Sequence, residues 1–134
     1  MPPPVARVDA EPRDVRRIVR RALNNYAVSL LWQHRFEEAK TLLRKSVPAA
    51  RRVFGESDQI TLTMRKVHAD VLCYDPVATL DEFREAVAMY EDTARIARRV
   101  LGSTHPSVQT IERSLESSRA TLRAREMVSS CWGI

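Results

Sequence analysis

The sequence predicts an all-α chain built as a short α-solenoid, two helical hairpins closed by a C-terminal capping helix, and three observations carry that prediction. Arg51-Arg52-Val53-Phe54-Gly55 returns as Arg98-Arg99-Val100-Leu101-Gly102, with the glycines 47 positions apart. Self-similarity at such a period marks stacked units that bury their apolar faces on one another. The 134 residues hold only three glycines and seven prolines, and Pro2, Pro3, Pro4 and Pro12 crowd the start, which leaves long stretches without breakers. Within those stretches apolar residues recur at helical spacing. At this length one domain is expected, with a core that needs neither disulfide nor metal.

Residues 1–11 form a proline-rich lead without periodicity, read as extended or disordered. Pro12 suits the first turn of a helix, where its missing N–H costs nothing. Ile18, Val19, Ala22, Leu23, Tyr26, Ala27, Leu30 and Leu31 then repeat at helical spacing, predicting a first helix over about 13–33. His34-Arg35 makes the turn. Phe36, Ala39, Leu42, Leu43, Val47, Ala50 and Val53 make a second stripe that ends at Gly55, read as a left-handed (αL) cap, and the pair is an αα-hairpin. Pro48 lies inside this second helix and predicts a kink near Arg44 to Val47.

Ser57 or Asp58 is placed to cap the third helix, which is apolar on two faces: Ile60, Met64, Val67 and Val71 on one, Leu62, Ala69 and Leu72 on the other. A helix apolar on both sides is sandwiched. Asp75-Pro76 ends it, and Thr79-Leu80-Asp81-Glu82 is a capping box opening a fourth helix through Phe83, Ala86, Val87, Tyr90, Ala94 and Ala97 to Leu101. Ser103 or Thr104 is read as the cap of the last helix, with Pro106 in its first turn. Its apolar set thins to Val108, Ile111, Leu115 and Leu122, the single stripe of a helix that seals the end of an array. The repeat domain is therefore expected over 12–127, with residues 128–134, including Cys131 and Trp132, as a tail.

Ala22-Leu23-Asn24-Asn25-Tyr26-Ala27 followed by Phe36-Glu37-Glu38-Ala39, the Val-x-Gly helix ends and His105-Pro106 together resemble the tetratricopeptide repeats of kinesin light chains and related proteins. The resemblance spans about Ala22 to Arg125 and implies a right-handed solenoid of two tetratricopeptide-like hairpins. Ala27 and Ala39 would let the first two helices approach closely, with Leu23, Tyr26 and Phe36 filling the contact. About five extra residues around Tyr74 to Thr79 lengthen the period beyond the family's. The sequence departs from the pattern at Asp58-Gln59, where His-Pro is absent, and at Glu116, where a small residue belongs. No heptad coiled coil accompanies the repeats, so the resemblance implies a binding module and not a motor subunit.

In such domains the first helix of each pair lines a concave groove. Carried across, the resemblance nominates Arg21, Asn24, Asn25, Val28 and Trp32 from the first unit and Lys66, Asp70, Cys73 and Tyr74 from the second. Asparagine both donates and accepts, which suits a peptide backbone of any sequence, and Arg21 and Lys66 would select acidic side chains. An equally open reading places Asn24 and Asn25 on a merely wet face, because two repeats make a shallow groove.

Lysine and arginine number 22 against 17 acids, a net charge of +5 that favours an acidic partner. The acids are scattered among the arginines, which argues against a dedicated nucleic-acid binder. Arg16, Arg17, Arg20 and Arg21 concentrate positive charge on the first helix, as a contact strip or a solvated face. Cys73 and Cys131 have no metal-ligand spacing, His34, His68 and His105 share none, with His105 read instead as helix-start chemistry, and no glycine-rich phosphate loop or recognisable nucleophile context occurs. Neither cofactor nor catalysis is expected. The absence of a long apolar run or a secretory leader, with so few cysteines, predicts a soluble protein of the reducing cytoplasm, with an organellar interior left open. The expected function is a non-catalytic adaptor or scaffold that binds an acidic segment of a partner protein. A structural subunit packed permanently in a larger complex is the alternative.

Overall fold

The computed structural model describes residues 12–131, except for the side chains of some residues in the first helix. The proline-rich lead and Trp132 of the tail lie outside the described residues. Five helices follow in chain order: α1 Pro12–Trp32, α2 Phe36–Phe54, α3 Gln59–Tyr74, α4 Leu80–Leu101 and α5 Pro106–Cys131. Each packs on its neighbours, and the described residues contain no strand. The all-α solenoid of two hairpins and a closing helix is what the structure shows.

The helix boundaries follow from local chemistry. His34 turns the chain with a positive φ of 55°, and the α1–α2 corner closes as Arg35 N donates to the Leu30 carbonyl at 3.0 Å. Asp58 is the cap of α3, its Oδ1 accepting from Ile60 N at 2.9 Å. The Thr79 capping box is complete: Glu82 N donates to Thr79 Oγ1 and Thr79 N to Glu82 Oε1. At the start of α5 the cap is not Ser103 or Thr104: His105, next to Pro106, accepts the Ser107 N–H on Nδ1 at 3.1 Å, the helix-start role read for it. Its ring takes the place of the shorter capping oxygen. Helix α5 also runs on to Cys131, beyond the boundary at residue 127.

The two repeated glycines are not αL. Gly55 has φ 90° and ψ 163°, and Gly102 has φ 88° and ψ 153°, an extended backbone with positive φ that essentially only glycine adopts. In each case the glycine N–H donates at 3.0 Å to the carbonyl of the first arginine of the repeated segment, Arg51 or Arg98. Those arginines also engage acids beyond the turn: Arg51 pairs with Glu56 at 3.3 Å and Arg98 with Glu112. Helix α2 continues unbroken through Pro48.

Helix α3 is the spine. Its first apolar face, Ile60, Met64, Val67 and Val71, joins Ala27 and Leu30 of α1 and Ala39, Leu43, Val47 and Ala50 of α2. Its second face, Leu62, Ala69 and Leu72, joins α4 and α5. The two faces read from the sequence are the two halves of the core. Val71 and Leu72 are fully buried neighbours on opposite sides, each contributing about 1.5–3 kcal/mol by its removal from water.

The first hairpin is less covered than its stripes predict. Ala27 and Ala39 are buried, but Tyr26 is 48 % and Ile18 62 % exposed, and Val15, Val19 and Leu42 also face solvent. Helix α1 rests more on α3 than on α2, so Tyr26 does not fill the α1–α2 contact, and a narrow crevice lined by Leu23, Tyr26 and Leu42 remains.

A buried ion cluster joins the repeats. Lys40 of α2, 2 % exposed, donates from Nζ to Asp75 Oδ2 at 2.7 Å and to Glu82 Oε2 at 2.6 Å. Burial alone would lower the pKa of the ammonium, but the hydrogen bonds and charges of the two carboxylates outweigh it and raise it. Asp75 is held below the ordinary carboxylate range although its burial pushes the other way, because Lys40 and the Val77 N–H both donate to it. Glu82 is lowered chiefly by its hydrogen bond with Lys40.

Candidate partner-binding groove

Helices α1, α3 and α5 line one side of the solenoid. Helix α4 packs on both α3 and α5, whereas those two touch little, so a trough opens between them with α4 as its floor. Two adjoining cavities occupy it and share Thr110. One of about 370 Å³ is bounded by Arg21, Lys66, Thr63, Ser107 and Thr110 over a floor of Ala97 and Leu101. The other, about 530 Å³, is bounded by Cys73, Tyr74, Arg113, Ser117, Thr121 and Arg125 over Phe83 and Tyr90.

The trough is cationic and rich in hydroxyls. Lys66 Nζ donates to Asp70 Oδ2 at 2.8 Å, and the other oxygen of Asp70 accepts from the hydroxyl of Tyr90, so the carboxylate is spent on holding its neighbours. Burial, then the charge of Asp70, raises the Tyr90 phenol and keeps it a donor. The same two causes push the Cys73 thiol up to about 11, far from a reactive thiolate. Arg125 is fixed: its guanidinium stands 4.5 Å over the Phe83 ring and donates to the Ala78 carbonyl at 3.1 Å. Thr63, Thr110 and Thr121 donate their hydroxyls to carbonyls one turn back, which leaves oxygen lone pairs to accept from a bound backbone.

The structure brings Arg21, Lys66, Asp70, Cys73 and Tyr74 to this trough or its immediate floor. It does not bring Trp32, which is 80 % exposed, or Asn25, exposed and not among the lining residues. The side chains of Asn24 and Val28, and those of Arg16, Arg17 and Arg20, lie outside the described residues. Sequence reasoning missed the contribution of α5, which walls the whole length of the trough besides sealing the array. The signal was present: Ser107, Thr110, Ser114, Ser117 and Thr121 recur three and four apart, a hydroxyl stripe on one helical face.

Among the described residues no group of three histidine, cysteine or acidic side chains is placed to hold a metal, and no helix is long and apolar enough to cross a membrane. Comparison with curated proteins and with solved structures finds no match. The profile of the tetratricopeptide repeat matches residues 19–60 and 78–107, together more than half of the chain. The first match runs from α1 through α2 to the start of α3, and the second runs from the loop before α4 to the start of α5. Most of α3 falls between them. The two hairpins, the paired helix ends and these matches agree: the chain belongs to the tetratricopeptide repeat family.

Proposed function

We propose that this chain is a non-catalytic adaptor or scaffold whose trough between α1, α3 and α5 binds an acidic segment of a partner protein. Tetratricopeptide repeats are in general protein–protein interaction modules, and the proposal adds the face and the charge. The observation that carries it is the trough itself, with Arg21, Lys66, Arg113 and Arg125 along its length and hydroxyls between them. Guanidinium groups bind carboxylates in a fork, while hydroxyl oxygens accept from an extended backbone. Lys66 is already paired with Asp70, so most of the selection for acid falls to Arg21 and Arg113. The proposed compartment is the reducing cytoplasm.

The test is a peptide library ranked by acidity, titrated against the chain and an Arg21→Ala/Arg113→Ala variant at low and physiological salt. Acidic peptides bind best, binding weakens with salt, and the variant loses about tenfold or more, as expected for removal of one or two charge-assisted contacts. No peptide bound, or equal binding by the variant, removes the reading.

A second reading rests on one observation: Val15, Ile18, Val19 and Leu42 lie exposed on the first hairpin. Such an apolar surface suits permanent packing in a larger assembly. Recovery of the chain from its source at fixed stoichiometry with other proteins supports a subunit, and recovery as a free monomer rejects it.

A further inference from the structure

We propose that a further cavity, on the side of α3 opposite the trough, is an oxyanion site that takes the phosphoryl group of a phosphate monoester. It measures about 270 Å³ and lies between α2, α3 and α4. Its polar wall is entirely cationic or basic: Arg44 and Arg51 of α2, Arg65 and His68 of α3. Leu43, Val47, Pro48 and Met89 form the apolar remainder.

Two buried groups there have unused hydrogen-bonding capacity. Arg65 is 7 % exposed, its Nη1 has no hydrogen-bond partner, and its nearest carboxylate, Asp92, stands 3.9 Å from Nη2, too far for a hydrogen bond. Asp92 is instead closer to Arg95, at 2.8 Å. His68, also 7 % exposed, has an unpartnered Nε2. Folded proteins leave few buried polar atoms unsatisfied, and two on the wall of one cavity call for a ligand.

The electrostatics select an anion. Burial and the charge of Arg51 both lower the pKa of Arg65, and burial and the charge of Arg44 lower that of His68. The cations oppose one another: Arg51 and Arg95 both act against the charge of Arg65, which Asp92 and Glu56, itself 3.3 Å from Arg51, offset in part. A dianionic phosphoryl group relieves that repulsion and accepts from several N–H donors at once. Nη1 and Nε2 are out of reach of solvent as the side chains stand, so an anion is first met by the exposed heads of Arg44 and Arg51 and reaches the two buried nitrogens as the Arg65 and His68 side chains turn toward it. The cavity is larger than the phosphoryl group needs, and its apolar side receives the carbon portion of an ester.

The experiment is calorimetric titration of the full chain with inorganic phosphate and with phenyl phosphate, in constant chloride, alongside an Arg44→Gln/Arg51→Gln variant. Both arginines are exposed, so the variant keeps its fold, as its helical circular dichroism verifies. The expected result is saturable one-site binding, tighter for phenyl phosphate, weakened at least tenfold in the variant, with the His68 ring resonances shifting on titration. Absence of saturable binding, undiminished binding in the variant, or unmoved His68 resonances overturns the site. Equal affinity for the two probes overturns the assignment to an ester.

Discussion

At the scale of single residues, Lys40 is the position on which the joint between repeats most depends. It holds Asp75 and Glu82 where α2 meets the entry to α4, and Asp75 is itself 3 % exposed. Removing the ammonium leaves a buried carboxylate without a counter-charge, so Lys40→Ala is expected to lower stability by about 3–5 kcal/mol in urea denaturation. The sign of the pH dependence follows from the shifts. Asp75 and Glu82 titrate below their ordinary values of 3.8 and 4.5 when folded, so their contribution is present above those values and is lost as pH falls through the depressed ones. Lys40, raised above 10.5, contributes fully below that value and loses its contribution as pH rises through the raised one. The urea midpoint of the chain should therefore fall in acid, and Lys40→Ala should flatten that fall. A second prediction concerns the repeated glycines. A Cβ at Gly55 or Gly102 would meet nothing within 4 Å, so the cost of Gly→Ala is backbone strain alone, about 1–3 kcal/mol at either position by thermal or urea unfolding. A neutral outcome would mean that the turn relaxes to another geometry.

At the scale of helices, most of the fold was legible in the sequence, because helical periodicity reports which residues share a face. The two apolar faces of α3 were readable for that reason, and Asp58 and the Thr79 box were readable because caps have fixed spacing. The cap of α5 was misplaced because a histidine ring can serve where hydroxyls are expected, and Lys40 was invisible because its partners are 35 and 42 residues away. Periodicity names a face; it does not say which polar side chain will be buried by a distant one. The groove was half legible on the same principle: the resemblance supplied Arg21 and Lys66, whereas α5 was read for its apolar stripe and not for its hydroxyl stripe. Helix α3 carries both halves of the core, so Leu72→Ala should cost about 2–5 kcal/mol and unfold the array in a single transition. Thr79→Ala, which loses one cap at an exposed helix start, should cost only about 1 kcal/mol. Similar losses from the two variants in denaturant melts would contradict the spine role of α3.

At the scale of the whole molecule, the two sides of α3 have different chemistry. One faces a trough with spaced cations and hydroxyls, the other a compact cationic cavity, and the exposed apolar residues Val15, Ile18, Val19 and Leu42 of the first hairpin line neither. The ion pairs Arg84 with Glu126 at 3.1 Å and Arg119 with Glu91 at 2.9 Å tie α5 to α4 beside their apolar contact, each exposed pair adding at most about 1 kcal/mol. The position of α5 thus shapes the trough, and on the proposed function it belongs to the binding surface besides sealing the array. The measurement that tests this directly is amide-resonance mapping of the isotope-labelled chain during titration with its best acidic peptide. The account predicts that perturbed amides cluster at Arg21, Lys66, Thr110, Arg113 and Ser117. Perturbations confined to the apolar face around Ile18 and Leu42, or to the cavity at Arg51 and His68, would contradict it.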